Sequence, residues 1–267
     1  MQTEPREHPG TAALSALSRG LSGTSPVLVG WCGLPEPTVP GLMAREPFDA
    51  IAIDMQHAPV DLRAVVSAIP LVAAAGKPTI VRVPVGDFAT VSRVLDAGAV
   101  GIIAPMIDTP EDARRLVSFA KFPPVGGRSW GPAGALALTG MDHPTYFARA
   151  NGLVVVLAMI ETRAALDAID EILAVEGLDG IFIGPADLSV GLSQGARLAP
   201  ESAEVDAAMR HAIERARAAG KSIGAFAANP ARGRALVEMG FDLVALGSDT
   251  MFMQAGARAA VATARGG

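Results

Sequence analysis

Residues 153–161, LVVVLAMIE, and residues 180–187, GIFIGPAD, each run apolar for the length of a strand and then meet a carboxylate, Glu161 in one and Asp187 in the other. Unbroken apolar runs of this length read as strands covered on both faces, as in a parallel sheet. A carboxylate at the end of such a strand must be solvated, paired or bound to a cation, because an isolated charge at the rim of a core is costly. Neighbouring strands lie about 4.8 Å apart, so two such residues could share one hard cation. The plainer alternative is a pair of loop acids capping the next helices, and Asp187 taken alone favours it.

Working outward, the same kind of run recurs at 28–33, 49–54, 79–84, 100–105, 222–227 and 242–247, which with the first two makes eight strands. Helical patterns separate them, so the chain is expected to form an α/β fold, a closed (β/α)8 TIM barrel. Residues 1–25 read as an N-terminal extension with a short helix, and 26–267 as a single barrel domain. Asp61 is placed to cap a helix that Gly76 stops, and Thr109-Pro110-Glu111-Asp112 supplies a cap, a first-turn proline and acids at the positive end of the helix dipole. Another helix runs from Glu204 to Ala219, before Gly220. Two loops are long: 185–202, and 123–141, PPVGGRSWGPAGALALTGM, whose five glycines and three prolines argue against any regular element. An open doubly wound sheet is the competing architecture, but Gly30-Trp31-Cys32-Gly33-Leu34-Pro35 does not fit the glycine-rich phosphate loop that such a sheet carries after its first strand.

Composition narrows the function. The chain of 267 residues has a net charge of −5 and only 4% aromatic residues, which argues against nucleic acid, a base-stacking surface or a polybasic membrane contact. Half of the residues are hydrophobic and the mean hydropathy is +0.36, yet no apolar run approaches the roughly 18 residues of a membrane span. A buried parallel sheet and an oligomer interface account for the excess. Cys32 is the single cysteine, so neither an internal disulfide nor a cysteine-cluster metal site is expected. Glu4, Glu7 and Pro9 stand where a secretory leader would need basic and then apolar residues, and a cytoplasmic location is expected.

In a barrel, chemistry gathers at the C-terminal ends of the strands. Trp31, Asp54, His57, Arg82, Met106, Glu161, Asp187, Asn229 and Asp249 all fall there. Lys77, Lys121 and Lys221 fall at the opposite face, which leaves no lysine for a Schiff base and points to metal-assisted stabilisation of an enolate. His57 is the histidine placed at a strand's C-terminal end, as readily structural as catalytic on spacing alone; Asp54, three residues earlier, could orient its imidazole. Arg82 beside an apolar strand needs an anionic partner, whether in a salt bridge or in a substrate.

The segments IAIDMQHAPVD, TIVRVP, VLDAGAVGIIAPMIDTPEDAR, PPVGGR, MIETR and LDGIFIGPADLS together resemble the HpcH/HpaI class II aldolases, which include 4-hydroxy-2-oxoheptane-1,7-dioate aldolase and 2-dehydro-3-deoxyglucarate aldolase. The resemblance implies a divalent cation (Mg²⁺, Mn²⁺ or Co²⁺) on Glu161 and Asp187, with no nucleotide cofactor. It implies that pyruvate chelates this ion, with Arg82 at the enolate oxygen, the backbone of Gly184-Pro185-Ala186 at its carboxylate, and Trp31 along its pocket. His57, paired with Asp54, would be the base. Asp96 matches a further acid, expected near the site of a neighbouring subunit, and the family pattern implies a homohexamer, a trimer of dimers with the last helix exchanged. Gln56, Met159 and Trp130 depart from common family residues and leave the aldehyde acceptor open; the 123–141 loop and Phe226 are expected to shape its pocket.

The expected activity is thus cleavage or formation of 4-hydroxy-2-oxo acids, with pyruvate as donor and an aldehyde as acceptor. Rival enzyme readings are a CoA-thioester lyase of the citrate-lyase type, which would need Arg128, Arg163 and Arg197 near the rim to hold a nucleotide, and an oxaloacetate decarboxylase or macrophomate-synthase-like enolate enzyme. A non-catalytic binder of a small 2-oxo acid would have no need of His57.

Overall fold

In the computed structural model, which describes residues 9–266, the elements run in the order α1 (Pro9–Leu21), β1 (Val27–Cys32), α2 (Thr38–Met43), β2 (Ala50–Asp54), α3 (Leu62–Ala74), β3 (Thr79–Arg82), α4 (Phe88–Asp96), β4 (Gly101–Ala104) and α5 (Pro110–Ala120). They continue with α6 (Ala133–Thr139), α7 (His143–Leu153), β5 (Val155–Ile160), α8 (Arg163–Asp167), α9 (Ile169–Leu173), β6 (Gly180–Ile183), α10 (Pro185–Leu192), α11 (Ala203–Ala218), β7 (Ser222–Ala227), α12 (Pro230–Met239), β8 (Leu243–Ser248) and α13 (Asp249–Ala264). Each strand pairs in parallel with the next and β8 pairs back onto β1, closing an eight-stranded barrel. The chain therefore adopts the (β/α)8 fold that its apolar runs predict.

The two-residue period of a strand sorts its side chains. Ile53, Val81, Ile102, Val156, Ile181 and Val244 point outward and pack against the helices. Val29, Ala52, Ile80, Ile103, Leu157, Phe182 and Ala245 fill the interior. Continuing the inward parity to the strand ends gives Trp31, Asp54, Arg82, Glu161, Gly184 and Phe226. The polar residues of the mouth are the top layer of the interior.

Local chemistry sets the helix ends. Asp61 accepts from the Ala64 N–H at 2.8 Å to start α3, and the chain leaves that helix through Gly76 at φ +76, where a side chain would be strained. Thr109 and Asp112 cap α5 reciprocally. The expectation that 123–141 holds no regular element is corrected by α6. Pro132 stands at its N-cap and Gly140 ends it in the left-handed conformation, so most of the helix breakers border the helix and Gly134 alone lies within it.

This segment connects α5 to β5, which puts it on the barrel's N-terminal face. There α1 packs against α6 and α7, and Leu14 and Leu17 enter the interior cluster. A Cβ at Gly101, the first residue of β4, would lie 2.8 Å from Leu17 Cδ2. The helix expected in the 1–25 extension is thus a plug for the barrel floor; the rest of that extension before Pro9 lies outside the described residues. Lys121 is buried at the same end, its Nζ donating to the carbonyls of Asn151 at 2.8 Å and Val154 at 2.5 Å and pairing with Asp179 at 2.8 Å.

At the other end of the chain, α13 touches the barrel through its first turn, against β1 and β8, and Asp249 is its one buried residue. Met251, Met253 and Val261 are exposed along it. Among the described residues no helix is long and apolar enough to cross a membrane.

Candidate active site

The C-terminal mouth opens into a cavity of about 510 Å³. Its floor is aromatic. Trp31 stacks on Phe182 with centroids 6.0 Å apart and meets Phe226 edge-on at 5.5 Å, and the Arg82 guanidinium carbon lies 5.0 Å from the Trp31 ring centroid. These rings bury hydrophobic area and hold the cation above them in a fixed plane.

Arg82 and Asp54 are register partners on β3 and β2, so the sheet itself builds their ion pair. Arg82 Nε donates to Asp54 Oδ1 at 2.9 Å and Nη2 to Oδ2 at 2.6 Å. Burial alone would raise the Asp54 carboxyl. The Arg82 hydrogen bonds and charge, with the N–H groups of Gln56 and His57, outweigh it and hold the carboxyl below its usual range. The expectation that Asp54 orients the His57 imidazole is therefore corrected: both carboxylate oxygens go to Arg82, and what His57 gives Asp54 is its backbone N–H, at 3.4 Å. The His57 side chain is exposed at the rim and lines the cavity.

Glu161 is 1% exposed. Its Oε1 accepts from the Met106 N–H at 2.9 Å, and its Oε2 is buried with no hydrogen-bond partner. Burial pushes its carboxyl up to about 7, the Asp187 charge adding to the rise while the Met106 N–H and Arg82 oppose it. Met106 holds that N–H in place from a left-handed backbone, φ 56, a conformation that costs a residue with a side chain of the order of 1–2 kcal/mol. A Cβ at Gly184 would stand 2.5 Å from Glu161 Oε2 and 2.6 Å from Met159 Cε, so only glycine leaves that oxygen its space. Asp187 sits in the first turn of α10, behind Pro185, and lines the same cavity. A buried, unpaired carboxylate oxygen beside a second carboxylate is a fit for a hard divalent cation that takes most of its other ligands from water or substrate.

The structure thus brings Trp31, Asp54, His57, Arg82, Asp187 and Phe226 to one cavity with the Gly184-Pro185-Ala186 backbone, and adjoins Glu161 to it through Gly184. Asp96 is elsewhere. It ends α4 at the N-terminal face and accepts from Arg128 Nη2 at 2.5 Å. Arg128 is buried there, not at the rim as a nucleotide-binding role would need, and the 123–141 loop lies at that face too, away from this chain's own mouth. Arg163 and Arg197 share Glu204 at 4.0 Å and 3.5 Å. Sequence reasoning missed the Met106 N–H, which no side-chain pattern marks, and the lining by Gly33, Leu34, Ser248 and Thr250.

Comparison with known proteins identifies the family. The family model for HpcH/HpaI aldolase/citrate lyase matches residues 28–255. A hydroxypyruvate/pyruvate aldolase of Rhizorhabdus wittichii is 42% identical over 90% of this chain and 94% of its own. A 4-hydroxy-2-oxo-heptane-1,7-dioate aldolase of Salmonella dublin is 36% identical, covering 93% and 94%. The crystal structure of an HpcH/HpaI aldolase from Desulfitobacterium hafniense superposes with a TM-score of 0.83 at 28% identity, covering 93% of this chain and 95% of that one. The chain belongs to the HpcH/HpaI aldolase/citrate lyase family and is a carbon–carbon lyase, an aldolase.

Proposed function

We propose that the protein is a divalent-metal-dependent aldolase that cleaves or forms 4-hydroxy-2-oxo acids, with pyruvate as donor and an aldehyde as acceptor. The observation that carries this reading is the unpartnered, buried Glu161 Oε2 facing the Gly184 backbone. A relative named for hydroxypyruvate and pyruvate supports the donor.

Glu161 and Asp187 would hold the cation, which when bound supplies Lewis-acid polarisation of the keto oxygen. The α10 N-terminus, with the free N–H groups of its first turn, receives the carboxylate of the 2-oxo acid. Arg82, fixed by Asp54 from one side and Trp31 from another, directs its remaining N–H groups at the oxygen where enolate charge develops. In the cleavage direction His57 accepts the proton of the 4-hydroxyl, the C3–C4 bond breaks with its electron pair passing to the enolate, and the aldehyde departs. The enolate then takes up at C3 the proton held on His57, directly or by way of water, which gives pyruvate and returns the neutral imidazole. The acceptor wall comprises Leu34, Ala58, Ser248 and Thr250. We further propose that α13 packs on a second copy of the chain in a homo-oligomer, supported by its exposed Met251, Met253 and Val261.

The test is exchange of the pyruvate methyl protons in D₂O, followed by NMR with Mg²⁺ or Mn²⁺. Exchange that requires both the cation and Glu161, and so disappears in Glu161→Ala, is expected. Exchange that proceeds equally in chelator or in Glu161→Ala refutes the assignment. His57→Ala is expected to retain pyruvate binding and lose turnover.

A further inference from the structure

One buried carboxylate at the mouth is left without a role by this chemistry. Asp249 opens α13 and is 4% exposed. Its Oδ2 accepts from the backbone N–H groups of Gly33 and Leu34, both at 2.9 Å, and its Oδ1 from the Thr250 N–H at 2.8 Å. Loop N–H groups at a solvent-facing rim ordinarily bond to water. Here a carboxylate, costly to bury unless hydrogen-bonded, is committed to two of them.

Those two residues form the exit from β1 and line the cavity beside Ala58, Ser248 and Thr250. A Cβ at Gly33 would meet Ala58 Cβ at 3.4 Å, so the anchored loop lies against the residue that follows His57. The charged groups of the proposed donor site stand on other elements, Arg82 on β3, Glu161 after β5 and Asp187 on α10, and β1 adds to it the Trp31 ring on which Arg82 rests. Asp249 therefore grips the side of the mouth where an aldehyde would meet the enolate.

We infer that Asp249 is a positioning residue that fixes the Gly33–Leu34 wall and so sets affinity for the aldehyde acceptor without entering the donor chemistry. The inference rests on the aldolase reading of the cavity. Because Asp249 is also the root of α13, whatever holds that helix holds this wall.

The test uses the full-length Mn²⁺-loaded protein with pyruvate and glycolaldehyde, comparing wild type with Asp249→Ala and Asp249→Asn. Methyl exchange of pyruvate stays within about twofold of wild type, while the KM for glycolaldehyde rises about tenfold in the alanine variant and about threefold in the asparagine variant, which keeps one acceptor oxygen. An unchanged KM with exchange intact overturns this inference alone. Parallel loss of exchange and condensation in a folded Asp249→Ala also overturns it, since the role would then be structural. Should the alanine variant fail to fold, Asp249→Asn decides, and a wild-type KM there is refuting. Wild-type protein that neither exchanges nor condenses overturns the aldolase reading and this inference with it.

Discussion

Replacing Asp54 with alanine removes the partner of Arg82, a residue that is itself only 8% exposed. Arg82 cannot neutralise by losing a proton, so it is left as an uncompensated buried cation, at a cost of about 3–5 kcal/mol. The N–H groups of Gln56 and His57 lose their acceptor as well. With an unfolding entropy of about 2.1 cal/mol/K per residue over 267 residues, that cost lowers Tm by roughly 5–9 °C. Removing both partners as Asp54→Leu/Arg82→Met restores most of the stability, because two apolar side chains avoid the desolvation of both charges; urea titration of the four species gives a coupling of about 2–3 kcal/mol. The wild-type pair stabilises above about pH 4 and loses that contribution as pH falls through the depressed Asp54 value. Additive losses would refute the pairing argument. A second readout addresses catalysis. Asp54→Asn is expected to lower kcat through Arg82, and a wild-type kcat in this variant would refute that role.

Three further outcomes follow from the Glu161 pocket. With its carboxyl raised to about 7, cation binding below that pH must displace a proton, so Mn²⁺ affinity falls about 90-fold from pH 8 to pH 5. Calorimetry in two buffers of different ionisation enthalpy checks this, and a flat affinity refutes it. The sign for stability is opposite to that of Asp54: a raised carboxyl stabilises the metal-free fold fully below its unfolded value, and that contribution is lost as pH rises through about 7, so the Tm of chelator-treated protein should decline across that window. Gly184→Ala places a methyl group 2.5 Å from Glu161 Oε2, and a Mn²⁺ titration should show affinity at least about tenfold weaker, with about 1–3 kcal/mol lost to overpacking.

The barrel was legible because burial on both faces leaves an unmistakable mark, eight apolar runs, and because parity within each run fixes which residue ends it facing inward. What could not be read was the company each residue keeps. Asp54 stands three residues from His57 in sequence, which suggested a dyad, whereas register places it opposite Arg82, 28 residues on. Its contact depends on how two strands align, and the spacing within one strand carries no trace of that alignment. The 123–141 loop is a different case. Its position between α5 and β5 assigns it to the floor on topology alone, but its glycines drew it towards function. Asp249 was recognised as a strand-end acid, yet its bond to Gly33 spans 216 residues, beyond any local pattern.

The plug made by α1 closes the barrel at its N-terminal end. With the floor sealed, reactants and products share one doorway. In the proposed reaction the donor would lie low, by Trp31 and Phe182, and anything standing between His57 and Leu34 would roof it over. Turnover in the synthetic direction should therefore follow a compulsory order, 2-oxo acid first and aldehyde second, and high aldehyde concentrations should inhibit by barring the entrance before the donor has arrived.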